Sequence, residues 1–422
     1  MSGDAKWQKC EFSNPTNLAL SGIKVLDLSR LVAGNMASLQ LADFGASVTK
    51  IEPLPHGDPL RNWKQAGFAS FWKVYGRNKR SLALDFHHIE AIPTLKRLIA
   101  KADVLIESFR PGTLELMKLV PMDLLESNPR LIVLRISGFG QTGPYSKRPG
   151  FGTLAEGMSG FAHRNGEQSG GPLLPPLALA DMIAGLYGSN AVLMALRVRD
   201  SASTSANQSQ GAGQIIDLSL LEAMVSVMGP EALDYSLVGK PKPRTGNASN
   251  LTCPRNVYLT RDGFYIALSA SIQKTAEKLF HSIGRADMID DPRYATNESR
   301  VRHRAEVDKI IGAWIASKSR SEALKKFEDD GITAAPLYDI RDICEDEHFI
   351  QRGVYVDTPD VDLGTTSMHA PVPRLSSTPG SIRRPAPTLG QHTIDLLTES
   401  EFSSSEVHKL LSTGVVAESE LK

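Results

Sequence analysis

The chain has 422 residues, 41% apolar and 22% charged, and its 47 basic residues balance its 47 acidic ones. This is an ordinary soluble globular composition, large enough for two domains or one large α/β body. Zero net charge argues against nucleic acid or a membrane surface as partner. Cys10, Cys253 and Cys344 are too few and too scattered for a disulfide framework, and the ten histidines show no metal-ligand spacing, so no metal is expected.

The opening residues MSGDAKWQKCEF carry an early acid and no apolar core, which argues against a secretory signal. No stretch reads as a membrane-spanning helix. The expected location is the cytoplasm or the mitochondrial matrix, not the exterior. Gly22–Ser29 (GIKVLDLS) is apolar and β-branched and reads as a buried strand. Leu31–Phe44 has helical spacing and stops at Gly45. Ala46–Glu52, Arg80–Phe86, Ala102–Phe109 and Pro129–Gly140 read as further strands, with a helix over Ala91–Ala102. Strands separated by helix-length segments imply crossovers and a mostly parallel sheet. After the first strand comes SRLVAGNM, which lacks the dinucleotide fingerprint, and the chain has no Walker A loop and no G-x-S-x-G elbow.

The middle is helical. Met182–Arg199 and Leu218–Leu237 read as long helices, and the polar stretch Ser201–Gly213 between them as a surface loop. Asn256–Ala270 reads as a hairpin turning at Arg261-Asp262-Gly263. Helical segments follow at Thr275–Ile283, Val301–Ser317 and Ser321–Asp329, and Ala335–Ile340 looks like a strand. Gly353–Pro387 is rich in Pro, Gly and Ser and reads as a long, loop-rich return to an earlier domain or a partner subunit.

One residue stands out. Asp181 follows the apolar run Leu173–Ala180, with Gly185 four residues on. A carboxylate at the end of an apolar segment must be paired, neutralised or used. Its spacing fits an N-cap for a helix starting at Met182. It also fits a nucleophile that attacks an activated acyl group and holds it covalently.

Six segments taken in order carry a resemblance: KVLDLSRLVAGNMASLQLADFGASVTKIEP, GRNKRSLALD, DVLIESFRPGTLELM, NPRLIVLRISGFGQTGPY, LALADMIAGL and GQIIDLSLLEA, with LGQHT near residue 393. Together they resemble the class III CoA-transferase family, whose superfamily includes formyl-CoA transferase, carnitine CoA-transferase and α-methylacyl-CoA racemase. The resemblance implies an α/β fold. It has a large Rossmann-like domain built from both chain ends and a smaller α+β domain, with two subunits threaded as interlocked rings. The large domain is expected over 1–215, carrying Asp181, a linker helix and small domain over 216–335, and a return to the large domain over 336–422.

The same resemblance implies a function. Asp181 is the nucleophile, passing from an acyl anhydride to an aspartyl-CoA thioester before an acceptor acid is loaded with CoA. Helix-start N–H groups beside it suit a developing oxyanion. No cofactor is permanently bound. Coenzyme A and its thioesters are substrates, together with a small, preferably dicarboxylic, acid, and succinyl-CoA is the preferred donor. CoA contacts map by position to Val32, Ala33, Leu84, His87, Ser108, Phe109, Arg110, Met117, Arg148, Gly150, Phe151 and Gly152. Arg110 is the leading cation, with Lys79, Arg80 and Arg148 as weaker candidates. Val32, Pro53 and His87 stand where formyl-CoA transferases carry Gln, Arg and Lys, which weakens an oxalate or formate assignment. Gly246–Asn250 or Gly166–Pro172 is a candidate cover for the site. The racemase is the alternative within the superfamily, but Phe151-Gly152 occupy the places of its His-Asp pair, and phenylalanine cannot exchange a proton. A non-catalytic CoA-binding protein is the other alternative.

Overall fold

The computed structural model describes residues 7–201 and 211–419, so most of the expected polar loop Ser201–Gly213 lies outside the described residues. The principal elements begin with β1 (Gln8–Lys9), β2 (Lys24–Asp27), α1 (Ala33–Asp43), β3 (Ser47–Pro53), β4 (Lys79–Leu84), α2 (Ala91–Ile99), β5 (Val104–Glu107) and β6 (Ile132–Ser137). Next come α3 (Gly152–Met158), α4 (Leu179–Ser201), β7 (Ile215–Ser219), α5 (Leu220–Ser226) and α6 (Glu231–Val238). A second group follows: β8 (Arg255–Leu259), β9 (Tyr265–Ser269), α7 (Gln273–Ser282), α8 (Arg304–Ala316), α9 (Arg320–Asp329) and β10 (Ala334–Pro336). The chain closes with β11 (Tyr355–Asp360), β12 (Gly364–His369), α10 (Thr393–Glu399), α11 (Ser404–Ser412) and β13 (Val416–Ala417).

The chain divides into two compact units. The larger runs to Ser159, resumes over Pro175–Gly229 and resumes again from Glu347; the smaller holds Gly160–Leu174 and Pro230–Asp346. The smaller unit thus takes in 230–346 where the sequence suggested 216–335. Residues 216–229 stay with the larger unit because β7 pairs with β6, Val133 opposite Ile215.

The larger unit carries a seven-stranded sheet in the order β13-β4-β3-β2-β5-β6-β7. All neighbours in it are parallel except β13, which closes the β4 edge antiparallel. β5 and β6 are buried along their whole length, and their apolar runs are broken only by Glu107 at the end of β5 and by Arg135 and Ser137 in β6. On one face α2, α10 and α11 bury Leu95, Leu98, Leu397 and Leu410 against the sheet. On the other, α1 packs on α4 through small residues. A Cβ on Gly185 would come 2.6 Å from Met36 Cβ, and one on Gly188 would come 3.0 Å from Leu134. The strand order reverses between β2 and β5, and that reversal opens a crevice at the carboxyl ends of the strands.

Four expectations need correction or refinement. Leu218–Leu237 is not one helix. Ile215–Ser219 joins the sheet edge, the Ser219 hydroxyl caps α5 by accepting from Glu222 N–H at 3.2 Å, and Gly229, at φ 75°, with Pro230 separates α5 from α6. The tail Gly353–Pro387, read only as loop-rich, also holds a strand pair, because β11 and β12 pair antiparallel and β1 adds to them in parallel. The strand expected over Ala335–Ile340 covers only Ala334–Pro336. Finally, α4 is long and apolar enough by composition to cross a membrane. Its small residues, including Ala180, Ala184, Gly185 and Gly188, are buried, as in the core helix of a folded domain.

In the smaller unit β8 and β9 form the expected hairpin, with Val257 opposite Ala267, and β10 adds to β9. Helices α7, α8 and α9 cover this sheet, burying Phe280, Ile311 and Phe327 with Tyr258 and Ile266. Gly166 and Gly246 lie in this unit and meet each other, Gly246 N–H donating to Gly166 O at 3.0 Å.

Candidate active site

A cavity of about 400 Å³ opens at the carboxyl ends of the parallel strands of the larger unit. Arg30, Leu31 and Ala33 come from the turn between β2 and α1. Ser108, Phe109 and Arg110 come from the segment after β5, and Ser137 and Gly138 from the end of β6. Gly150, Phe151 and Asp181 complete the wall, with Leu220 from α5. Segments more than a hundred residues apart in sequence meet here because the strand order reverses between β2 and β5.

Asp181 is the third residue of α4, not its cap; the helix begins three residues earlier than the sequence suggested. The cap role is taken from outside the helix. Ala180 N–H donates to a carboxylate oxygen of Glu156 on α3 at 3.1 Å, and Glu156 is 3% exposed. Leu179 N–H donates to Leu177 O at 2.8 Å. These two helix-start donors are therefore engaged within the protein. Burial, and then the neighbouring Glu156 charge, push the Asp181 carboxyl up to about 6. Gly152, the first residue of α3, makes this packing possible, since a Cβ there would overlap a carboxylate oxygen of Asp181.

The turn that carries Arg30 is pinned by buried polar groups. Asp27 accepts from Ser29 N–H at 2.9 Å and from its hydroxyl at 2.5 Å. Lys50 donates to Ser29 O at 2.6 Å and forms ion pairs with Asp27 and Asp58, each at 3.1 Å. Asp58 in turn accepts from Leu31 N–H at 3.0 Å. Leu31 adopts φ 62°, a strained conformation for a branched residue. On the opposite wall, Glu107 accepts from Phe109 N–H at 2.7 Å and pairs with Arg135 at 2.8 Å. Burial raises the Glu107 carboxyl to about 7 against the pull of Arg135.

Seven of the residues expected at the site line the cavity: Asp181, Ala33, Ser108, Phe109, Arg110, Gly150 and Phe151. Gly152 lies against Asp181. The other five of the expected set are elsewhere. Val32 is buried with Leu60 and Trp72, and Leu84 sits in the core. His87 is exposed after β4, and Met117 packs against the core. Arg148 stacks over Tyr145, 3.7 Å from the ring centroid. Of the weaker cation candidates, Lys79 and Arg80 are engaged within the protein. Lys79 is fully buried and donates to the Asn35 side chain at 2.8 Å, and burial lowers its ammonium to about 7. Arg80 grips Glu399 through two bonds of 2.6 and 2.7 Å. Arg30, Thr113, Leu220 and Glu156 were not anticipated. Arg30 lies inside the motif SRLVAGNM, whereas Glu156 has no sequence signal beyond a charge on a short helix. Among the described residues, no group of three or more His, Cys, Asp or Glu side chains is placed to hold a metal.

The family profile described as CoA-transferase family III matches residues 20–393. The chain belongs to this family. The class III transferase is 35% identical over 383 residues to succinyl-CoA–D-citramalate CoA-transferase of Chloroflexus aurantiacus, covering 90% of this chain and 93% of the relative. It is 38% identical over 390 residues to the β subunit of succinyl-CoA–L-malate CoA-transferase from the same organism, covering 91% and 94%. Among solved structures, a CaiB/BaiF family protein from Brucella suis matches with a TM-score of 0.79 at 31% identity, covering 91% of this chain and all of that one. The transferase shares with this solved structure a mixed α/β fold around a large, mostly parallel sheet.

Proposed function

We propose that this CoA-transferase moves CoA from succinyl-CoA to a C4 or C5 dicarboxylic acid, with Asp181 as the covalent carrier. The observation that carries the reading is the Asp181 carboxylate, which opens onto the one wall where the loops after β2, β5 and β6 converge. The two relatives named for succinyl-CoA with citramalate and malate support the donor and the acceptor class.

The chemistry takes four balanced steps. The Asp181 carboxylate attacks the thioester carbonyl and expels CoA thiolate, leaving a mixed anhydride. The thiolate attacks the Asp181 carbonyl, releases succinate and leaves an aspartyl-CoA thioester. The acceptor carboxylate attacks that thioester, expels the thiolate and forms a second anhydride. The thiolate then takes the acceptor acyl group, and the Asp181 carboxylate is regenerated. Arg110 contributes a cation for the CoA phosphates, and the apolar and glycine-lined wall from Ala33 to Phe151 accommodates the thioester arm. Two-base epimerisation is disfavoured because Phe151 and Gly152 supply no proton donor.

The test is trapping. Hydroxylamine or borohydride added during turnover with succinyl-CoA labels Asp181, found by peptide mapping. A label on another carboxylate, or none, overturns the assignment.

A homodimer belongs to this reading. Leu186, Tyr187, Leu193, Met194 and Val198 of α4 are all more than 40% exposed, an apolar face suited to a second copy of the chain. Native mass spectrometry of the purified protein reads this directly, and a monomer at micromolar concentration overturns it.

A further inference from the structure

A dicarboxylic substrate brings two charges to the cavity. One carboxyl reacts at Asp181. The other enters a partly desolvated wall and needs a cation there, because an unpaired buried carboxylate is costly. Two of the residues lining the cavity are cations, Arg30 and Arg110. Neither guanidinium has a hydrogen-bond or ion-pair partner among the described residues.

Beside Arg110, Phe109 N–H donates to Glu107 at 2.7 Å and Thr113 N–H donates to the Arg110 carbonyl at 3.0 Å, whereas Arg30 sits in a wider, buried ionic network. The backbone on both sides of Arg30 is fixed. Its own N–H donates to Ser108 Oγ at 3.0 Å, Ser29 before it is held by Asp27 and Lys50, and Leu31 after it by Asp58. Asn35 Nδ2 adds a bond to Leu31 O at 2.6 Å. A buried ion network and a residue at φ 62° therefore hold one exposed arginine at the mouth of the cavity. Pre-organisation of this kind suits a group that must discriminate, because a guanidinium fork aimed at a fixed point reads a planar carboxylate by two parallel bonds.

We propose that Arg30 is the specificity-determining residue of this transferase, receiving the distal carboxylate of the dicarboxylic acyl group and acceptor. The proposal rests on the functional reading above, in which Arg110 serves the CoA phosphates.

The experiment compares kcat/KM for glutarate with that for its monomethyl ester, succinyl-CoA being the donor, in wild type, Arg30→Met and Arg30→Lys. The wild type is expected to prefer the diacid. In Arg30→Met that preference falls by about 30-fold or more, since the lost group is a charge-assisted, two-point contact. Arg30→Lys restores part of it, as a point charge without the fork. An unchanged preference in Arg30→Met overturns the proposal. So does a tenfold rise in the dissociation constant for free CoA, measured by isothermal titration, with the preference intact; that outcome moves Arg30 to the phosphates. A wild type that transfers CoA to neither acid overturns the functional reading and takes this proposal with it. A wild type that transfers to both without preference overturns the proposal alone.

Discussion

Gly152 and Asp181 share one volume: a Cβ on Gly152 would overlap a carboxylate oxygen of Asp181. The two residues are 29 positions apart and meet only because α3 packs against the first turn of α4. Gly152→Ala must push the carboxylate aside or shift α3. A displacement of about 1 Å is enough to misalign an attacking oxygen. Transfer activity is expected to fall by about tenfold or more while the circular dichroism spectrum is kept. Wild-type kcat in this variant would show that the contact does not position Asp181.

Asp181→Ala is expected to leave under about a hundredth of wild-type transfer, because it removes the group that carries the acyl chain. CoA affinity, read by isothermal titration, should be largely kept. Greater residual activity would place the nucleophile elsewhere.

The raised Asp181 carboxyl has two pH consequences of definite sign. Attack needs the ionised form, so kcat/KM is expected to rise with pH and level off above about 6. Stability runs the other way. The folded chain holds this proton more tightly than the unfolded chain, whose carboxyl titrates near the ordinary 3.8. Stability associated with Asp181 is therefore present below that value and is lost as pH rises towards about 6. Asp181→Asn should raise the melting temperature at pH 7.5, with a gain of order 1–2 kcal/mol, and the gain should shrink towards pH 4. An equal gain at both pH values would point to packing instead of ionisation.

Glu156 raises the Asp181 carboxyl and also accepts the Ala180 N–H. Glu156→Gln keeps an acceptor and removes the charge. The midpoint of the kcat/KM profile is expected to move to lower pH with the fold unchanged. Glu156→Ala also leaves a helix-start donor unpaired, and about 1–2 kcal/mol of stability should be lost. A midpoint that stays put in Glu156→Gln would show the two carboxylates to be electrostatically independent.

Asp58 holds the Leu31 turn and pairs with buried Lys50. Burial pushes its carboxyl up, but Lys50 and the N–H donors of Leu60 and Leu31 outweigh that and hold it below the usual range. Asp58→Ala removes one of two acidic partners from a buried lysine and frees strained backbone. Destabilisation of about 3 kcal/mol is expected by urea unfolding, and KM for the diacid should rise through Arg30. A neutral variant would mean that Asp27 alone satisfies Lys50.

Local pattern determined much of this protein. β-branched runs such as GIKVLDLS and RLIVLRIS can only be buried strands between helices, and six motifs in order placed Asp181 in a transferase family before any contact was known. Periodicity also misled. SLLEAMVSVM has helical spacing, yet the residues just before it complete a sheet edge that only β6 could offer, and Gly229-Pro230 then breaks the helix. Lys79 and Arg80 read as cations near a strand entrance, but the fold buries one against Asn35 and closes the other on Glu399. Neither partner lies near them in sequence. The same holds for Glu156 beside Asp181 and Ser108 beneath Arg30. Side-chain period is a property of a few consecutive residues, so sequence carries it. Which charges meet depends on strand order: Val25 pairs with Val48 on one side and Val104 on the other, and that crossing brings the β2 and β5 loops together as a site.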